Sequence, residues 1–268
     1  MTNTYGYNRK SHEEDDAIFT AVRRHHEAVE AKGYLVVMTS LVGSQNYDLD
    51  DTNSDIDTFS FVYPTLSDII MAKPPFATMF EAPDGGHCEI KDIRLAFNLL
   101  KKTSPNSIEY FTSKYKIYNP LFELILKEYL EDNTKLWNMI HCNYEHMLYA
   151  IAGMAHQLTK RNMPAGKRFS HAIRLDDMQY HFLNSYNASA VLELRMGGDR
   201  DLALIAKRDK EHDDEYNEQC EQIADKLDAS KESFTLTDEQ KQIQQYGLSL
   251  IDSLQWKLFK KYLEEVNK

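Results

Sequence analysis

Ile18, Val22 and Val29, with His25 or His26 between them, recur at the three- and four-residue steps that line one face of a helix. A polar lead-in precedes them, and Gly33 stands where a C-terminal cap would end the helix. The pattern then changes. Residues 34–42 form an apolar run and residues 58–63 read Thr-Phe-Ser-Phe-Val-Tyr, which predicts two strands joined by a link that opens with Gly43 and Ser44. Residues 64–86 hold Pro64, Pro74, Pro75, Pro83, Gly85 and Gly86, the composition of an insertion, with a short helix expected over 66–71. Near residues 87–92 a further strand is expected, with His87, Glu89 and Lys91 on one face and Cys88 and Ile90 on the other.

From Pro120 onward the period is helical. Leu136, Met139, Ile140, Tyr144, Met147, Leu148, Ile151, Met154, Ala155 and Leu158 predict a long amphipathic helix. A break at 162–166 precedes a second helix over about 169–186, and 199–206 reads as a short third. After the charged stretch 209–233, Thr235 or Thr237 can cap a final helix containing Ile243, Tyr246, Leu250, Leu254, Leu258 and Leu263. The expected fold class is α/β (α+β), with a small mixed sheet in residues 1–115 and a helical domain over 116–268.

Composition narrows the classes. The 268 residues suffice for a substantial core, and 42% hydrophobic with 27% charged residues is ordinary for a globular protein. No apolar run reaches membrane-spanning length, and residues 1–10 lack the apolar centre of a signal peptide. Cys88, Cys142 and Cys220 are too widely spaced for metal-ligand pairs or a disulfide framework, so buried thiols in a reducing cytoplasm are expected. A net charge of −11 argues against a broad nucleic-acid-coating surface, though not against a local basic groove, since much acid is concentrated in runs such as 211–215.

The chemistry is concentrated in the first strand–link–strand unit. Gly43 and Ser44 are followed by the ten residues 45–54 and then by Asp55-Ile56-Asp57. Alternation puts Asp55 and Asp57 on one face and Ile56 on the other. Two carboxylates side by side repel each other unless a cation neutralises them. Backbone N–H groups and the Ser44 hydroxyl suit phosphate oxygens. Metal-binding acids beside a phosphate-binding turn point to phosphoryl or nucleotidyl transfer.

This block resembles the polymerase-β-like nucleotidyltransferase superfamily, and most closely a bacterial and phage group of predicted nucleotidyltransferases, some of them associated with RNA repair. Members typically carry Gly-Ser-x-x-Tyr-Gly-Leu-Asp and then Ser-Asp-x-Asp. Gly43, Ser44, Tyr47, Leu49, Asp50, Ser54, Asp55 and Asp57 match in type and spacing. Asp48 departs, standing where Gly is usual; if that position needs a positive φ, Asp adopts one more readily than a branched residue. Residues 87–100 resemble the group's next strand and helix, residues 104–111 its Asn-Pro-x-x-hydrophobic-Glu segment, and residues 167–175 its basic helix carrying His-Ala-x-Arg-Leu.

The resemblance implies a two-metal nucleotidyltransferase with Mg²⁺ as its ion and Mn²⁺ as a plausible substitute, taking an NTP and a hydroxyl acceptor such as an RNA end, a small molecule or a protein. Asp55 and Asp57 would be the first two metal ligands, and Glu89, on a neighbouring strand, the third. Asp92 is the alternative, although a regular strand would turn it to the opposite side. Gly43 would admit the phosphates close to the backbone, and Ser44 would hydrogen-bond them. Lys167, His171 and Arg174, at i, i+4 and i+7, can share one helical face and contact the triphosphate or the acceptor. Two other classes compete: a nucleotide-binding regulatory or antitoxin-like module without turnover, and a helical interaction protein.

Overall fold

The computed structural model describes residues 11–50, 54–82, 84–194, 199–209 and 211–266. The lead-in at 1–10, Pro83 and the middle of the Gly-Ser to Asp-x-Asp link, 51–53, lie outside them. Among the described residues the fold is α+β: eleven α-helices and a five-stranded mixed sheet.

Helix α1 (His12–Ala31) starts at a capping box, in which Ser11 accepts the Glu14 N–H and the Glu14 carboxylate accepts the Ser11 N–H. It ends ahead of Gly33, whose φ of 87° closes the turn into strand β1 (Leu35–Val42). Strand β2 (Asp57–Tyr63) runs antiparallel to β1, with Val42 opposite Asp57 and Ser40 opposite Phe59. The 64–86 segment holds the expected short helix, α2 (Leu66–Ile70), and also an edge strand, β3 (Ala77–Glu81). That strand has no apolar alternation to announce it, because it is an exposed edge in which only Phe80 is half-buried. Strand β4 (His87–Asp92) pairs antiparallel with β3 and parallel with β2, placing Phe59 beside Glu89. Helices α3 (Ile93–Lys102) and α4 (Pro105–Thr112) lead to β5 (Lys116–Tyr118), which pairs with β1 just past residue 115, where the sequence places its boundary. The sheet order is β3-β4-β2-β1-β5.

Helix α1 covers one face of the sheet. Val29 packs there with Val36, Val62, Cys88 and Ile90. The other face carries Phe59, Phe61 and Tyr63 into a large core shared with the helices that follow. These are α5 (Glu123–Leu130), α6 (Asn133–Ile140), α7 (Tyr144–Lys160), α8 (Ala165–Asn184), α9 (Asp199–Arg208), α10 (Asp213–Ser233) and α11 (Asp238–Val266). The single long helix expected over 136–158 is two, because Asn143 accepts the His146 N–H and caps a fresh start while His141 turns inward. Tyr262 of α11 stacks on Tyr63 at 4.4 Å and donates to the Pro64 carbonyl at 3.0 Å, tying the last helix to the sheet. All three cysteines are buried and free. Among the described residues no helix is long and apolar enough to cross a membrane.

Candidate active site

Strand β1 ends at Gly43, which takes φ 86° and ψ −159°, a conformation that side chains resist. The chain then makes one short helical turn over Ser44–Tyr47 and leaves it at Asp48, whose φ of 51° and ψ of 33° are left-handed, so the position does require a positive φ. The turn folds back over β2, so that a Cβ built on Gly43 would stand 3.8 Å from Asp57 Oδ2. The Ser44 hydroxyl makes no hydrogen bond to the protein. Gly43 is therefore brought against Asp57, with Ser44 the next residue along the turn.

The Gly43 N–H is not offered to a ligand, which corrects one expectation. It donates to Glu109 Oε1 at 2.6 Å. Asn46 Nδ2 adds a second donor to that oxygen at 3.3 Å, and Asn46 Oδ1 accepts from the Ser113 hydroxyl at 2.8 Å. Glu109 is buried, and burial is the largest influence on its carboxyl, pushing it above the usual range against the pull of Arg174, Gly43 and Asn46. The sequence signal was there, since Glu109 closes the block 104–111. Its role needed the fold.

The acids stand on open surface. Asp55 lies in the extended segment just ahead of β2 and is exposed, and Ile56 turns to the opposite side to pack with Leu41 and Tyr115. Asp57 Oδ1 accepts the His87 N–H at 2.9 Å. This contact depends on Gly86, where a Cβ would fall 2.0 Å from the Ile56 carbonyl oxygen. Behind it, buried His25 links Thr58 at 2.8 Å to Asp84 at 2.7 Å, so α1 clamps the residue after Asp57 to the β3–β4 hairpin. Glu89 shares the sheet face of Phe59 and Asp57, but its carboxylate pairs with Lys91 at 2.8 Å. The side chains of Asp57 and Glu89 are 43% and 38% exposed, so both can be reached from solvent. Asp92 is excluded as their partner: it is fully buried, caps α3 and is gripped by the Arg94 guanidinium at 2.6 Å. Among the described residues no three acids, imidazoles or thiols converge as a metal-holding group. Carboxylate oxygens of this kind suit a hard cation, and in this structure Glu89 is turned to Lys91 and Asp57 to the His87 N–H.

The basic face of α8 meets the turn from above. Arg174 lies 4.6 Å over the Tyr47 ring, with its buried Nε unpartnered. His171 is held neutral, at about 3, by burial and then by the charges of Arg174, Lys167 and Lys207. Lys207, which sequence reading missed, comes from α9 and reaches the Leu49 carbonyl at 2.9 Å and the Ser54 hydroxyl at 3.5 Å. Arg200 holds the Asp48 carbonyl at 3.1 Å. Helix α9 comes this close because Gly166 has no Cβ: one would meet the Ala206 carbonyl oxygen at 1.8 Å. The result is a cluster of cations around a neutral histidine, beside the turn. The cavities around Lys116 and around Phe97 lie elsewhere, so here chemistry rather than concavity marks the site.

No protein-family model matches this chain, and no protein of curated function is similar to it in sequence.

Proposed function

We propose that the protein transfers a nucleoside monophosphate from an NTP to an acceptor hydroxyl, on a core of the polymerase-β-like kind. One observation carries the reading: a carboxylate-bearing strand end and an unpartnered serine hydroxyl lie beside a basic cluster built on two other helices. Polyphosphate is the ligand that suits both halves, because its oxygens meet Ser44 and the cations.

In this scheme Arg174, with a donor to spare, grips the triphosphate, and Lys167 adds charge from the same helical face. His171, being neutral, offers a hydrogen bond without requiring a counter-charge. Asp55, Asp57 and Glu89 would hold divalent cations, Mg²⁺ by preference and Mn²⁺ as substitute. When bound, such ions lower the cost of deprotonating an acceptor hydroxyl and of the charge on departing pyrophosphate. The acceptor oxygen forms the new bond to the α-phosphorus as the bond to pyrophosphate breaks, and in this scheme Glu89 takes the proton.

The experiment is incubation of the purified protein with each labelled NTP, Mg²⁺ or Mn²⁺, and a panel of RNA, small-molecule and protein acceptors. Transfer that disappears in Asp57→Asn supports the reading. No transfer anywhere in the panel overturns it. The Glu89–Lys91 pair favours a second reading, a nucleotide-binding module without turnover. NTP binding with no transfer under the same conditions selects that one.

A further inference from the structure

A cavity of about 570 Å³ opens at the β5 edge of the sheet, bounded by α1, α5, α6 and the 187–189 segment. It shares no residue with the acidic site, although Ser113 in its wall donates to Asn46 of the turn at 2.8 Å. Three groups in its wall have unmet bonding capacity. Lys116 is half-buried, and its ammonium has three donors but donates to the Phe111 carbonyl alone, at 2.9 Å, with no carboxylate of the described residues at ion-pair distance. The Tyr118 hydroxyl is shielded from water and has no hydrogen-bond partner. Arg23 stands exposed at the rim, without an ion pair.

The other charges are largely settled among themselves. Lys127 pairs with Glu123 at 2.9 Å, and Lys114 with Asp15 at 3.1 Å. Glu131 is the one acid left against the two unpaired cations. Register on β1 explains why Lys116 and Tyr118 point together: they oppose Ser40 and Met38, two residues apart on one face. Phe19, Leu130 and Leu136 supply apolar wall. The volume lies within the range of small-molecule sites.

We propose that this cavity binds a small organic anion, a carboxylate or a phosphate monoester on an apolar body, held by Lys116 and Tyr118 with Arg23 at the rim. Burial holds the Lys116 amine down at about 8, with Glu131 pulling the other way, and an anion in the cavity favours its charged form. The proposal stands independently of nucleotidyl transfer.

The test is calorimetric titration of the full chain with benzoate and with phenyl phosphate at neutral pH. Saturable binding is expected, weakened about tenfold in Lys116→Met and by a smaller factor in the milder Tyr118→Phe. It should be unchanged in Arg174→Ala, whose guanidinium lies over Tyr47 and outside the cavity wall. Tighter binding of phenyl phosphate assigns a phosphate source, and tighter binding of benzoate a carboxylate. Absence of saturable binding by either probe overturns the proposal. So does binding that survives both cavity variants or is lost in Arg174→Ala.

Discussion

The carboxylate of Glu109 and the main-chain N–H of Gly43 meet at 2.6 Å across 66 residues of chain. This bond anchors the turn that carries Ser44, and it couples helix α4 to the end of β1. Replacing Glu109 by Ala leaves the Gly43 donor unpaired, while Asn46 keeps the Leu41 carbonyl, so a loss of about 1–3 kcal/mol is expected in urea unfolding. Glu109→Gln keeps an acceptor and should lose less than half as much. Equal losses would show that charge, not the hydrogen bond, holds the turn.

Two glycines near Asp57 are needed for different reasons. Gly43 has room for a Cβ but an unfavourable φ, so Gly43→Ala is expected to cost about 1–2 kcal/mol. Gly86 has no unfavourable φ but no room, and Gly86→Ala must push the Ile56 carbonyl away from 2.0 Å. Its cost should reach about 3 kcal/mol and displace the His87 N–H from Asp57. Thermal melts of the two variants rank them, and a milder effect for Gly86→Ala contradicts the close approach.

The ion pair of Glu89 with Lys91 opposes recruitment of Glu89 to a metal. If Asp55, Asp57 and Glu89 act together, Lys91→Met should tighten Mn²⁺ binding by up to about fivefold, the scale of a solvent-accessible ion pair worth about 1 kcal/mol. Glu89→Gln should weaken it. Electron paramagnetic resonance of free Mn²⁺ reads both directly, and unaltered affinity in the two variants removes Glu89 from the metal set.

His171 links stability to acidity. Its folded value of about 3 lies below the ordinary histidine value near 6.5, so the unfolded chain binds a proton that the folded chain refuses. The stabilisation is therefore complete above about pH 6.5 and declines as pH falls toward 3. Between pH 6.5 and 4.5 the loss from this group amounts to about 2–3 kcal/mol. His171→Gln should remove that part of the pH slope in chemical denaturation. A bound triphosphate should raise the histidine's titration midpoint in NMR, because it offsets the charges of Arg174, Lys167 and Lys207. An unmoved midpoint in saturating NTP would place the nucleotide elsewhere.

Much of the local structure was legible in sequence because its causes are local. Helical spacing marked α1, and Gly33 marked its end. Alternation on β4 placed Glu89 with His87 and Lys91, and the same rule turned Asp92 to the other side. The Gly-Ser pair announced a turn after β1, and Asp48 was compatible with a positive φ within it. Lys167, His171 and Arg174 fell on one face of α8 from spacing alone.

What each of these residues touches was decided by tertiary packing. Periodicity and turn chemistry act over a few residues, whereas Glu109 reaches Gly43, and Lys207 reaches Ser54, only after distant segments have closed onto the sheet. The break at Asn143 and the edge strand β3 depended likewise on neighbours that a linear pattern does not contain. The cavity around Lys116 and Tyr118 is a space between elements. No single stretch of sequence encodes it, because its walls come from segments more than a hundred residues apart.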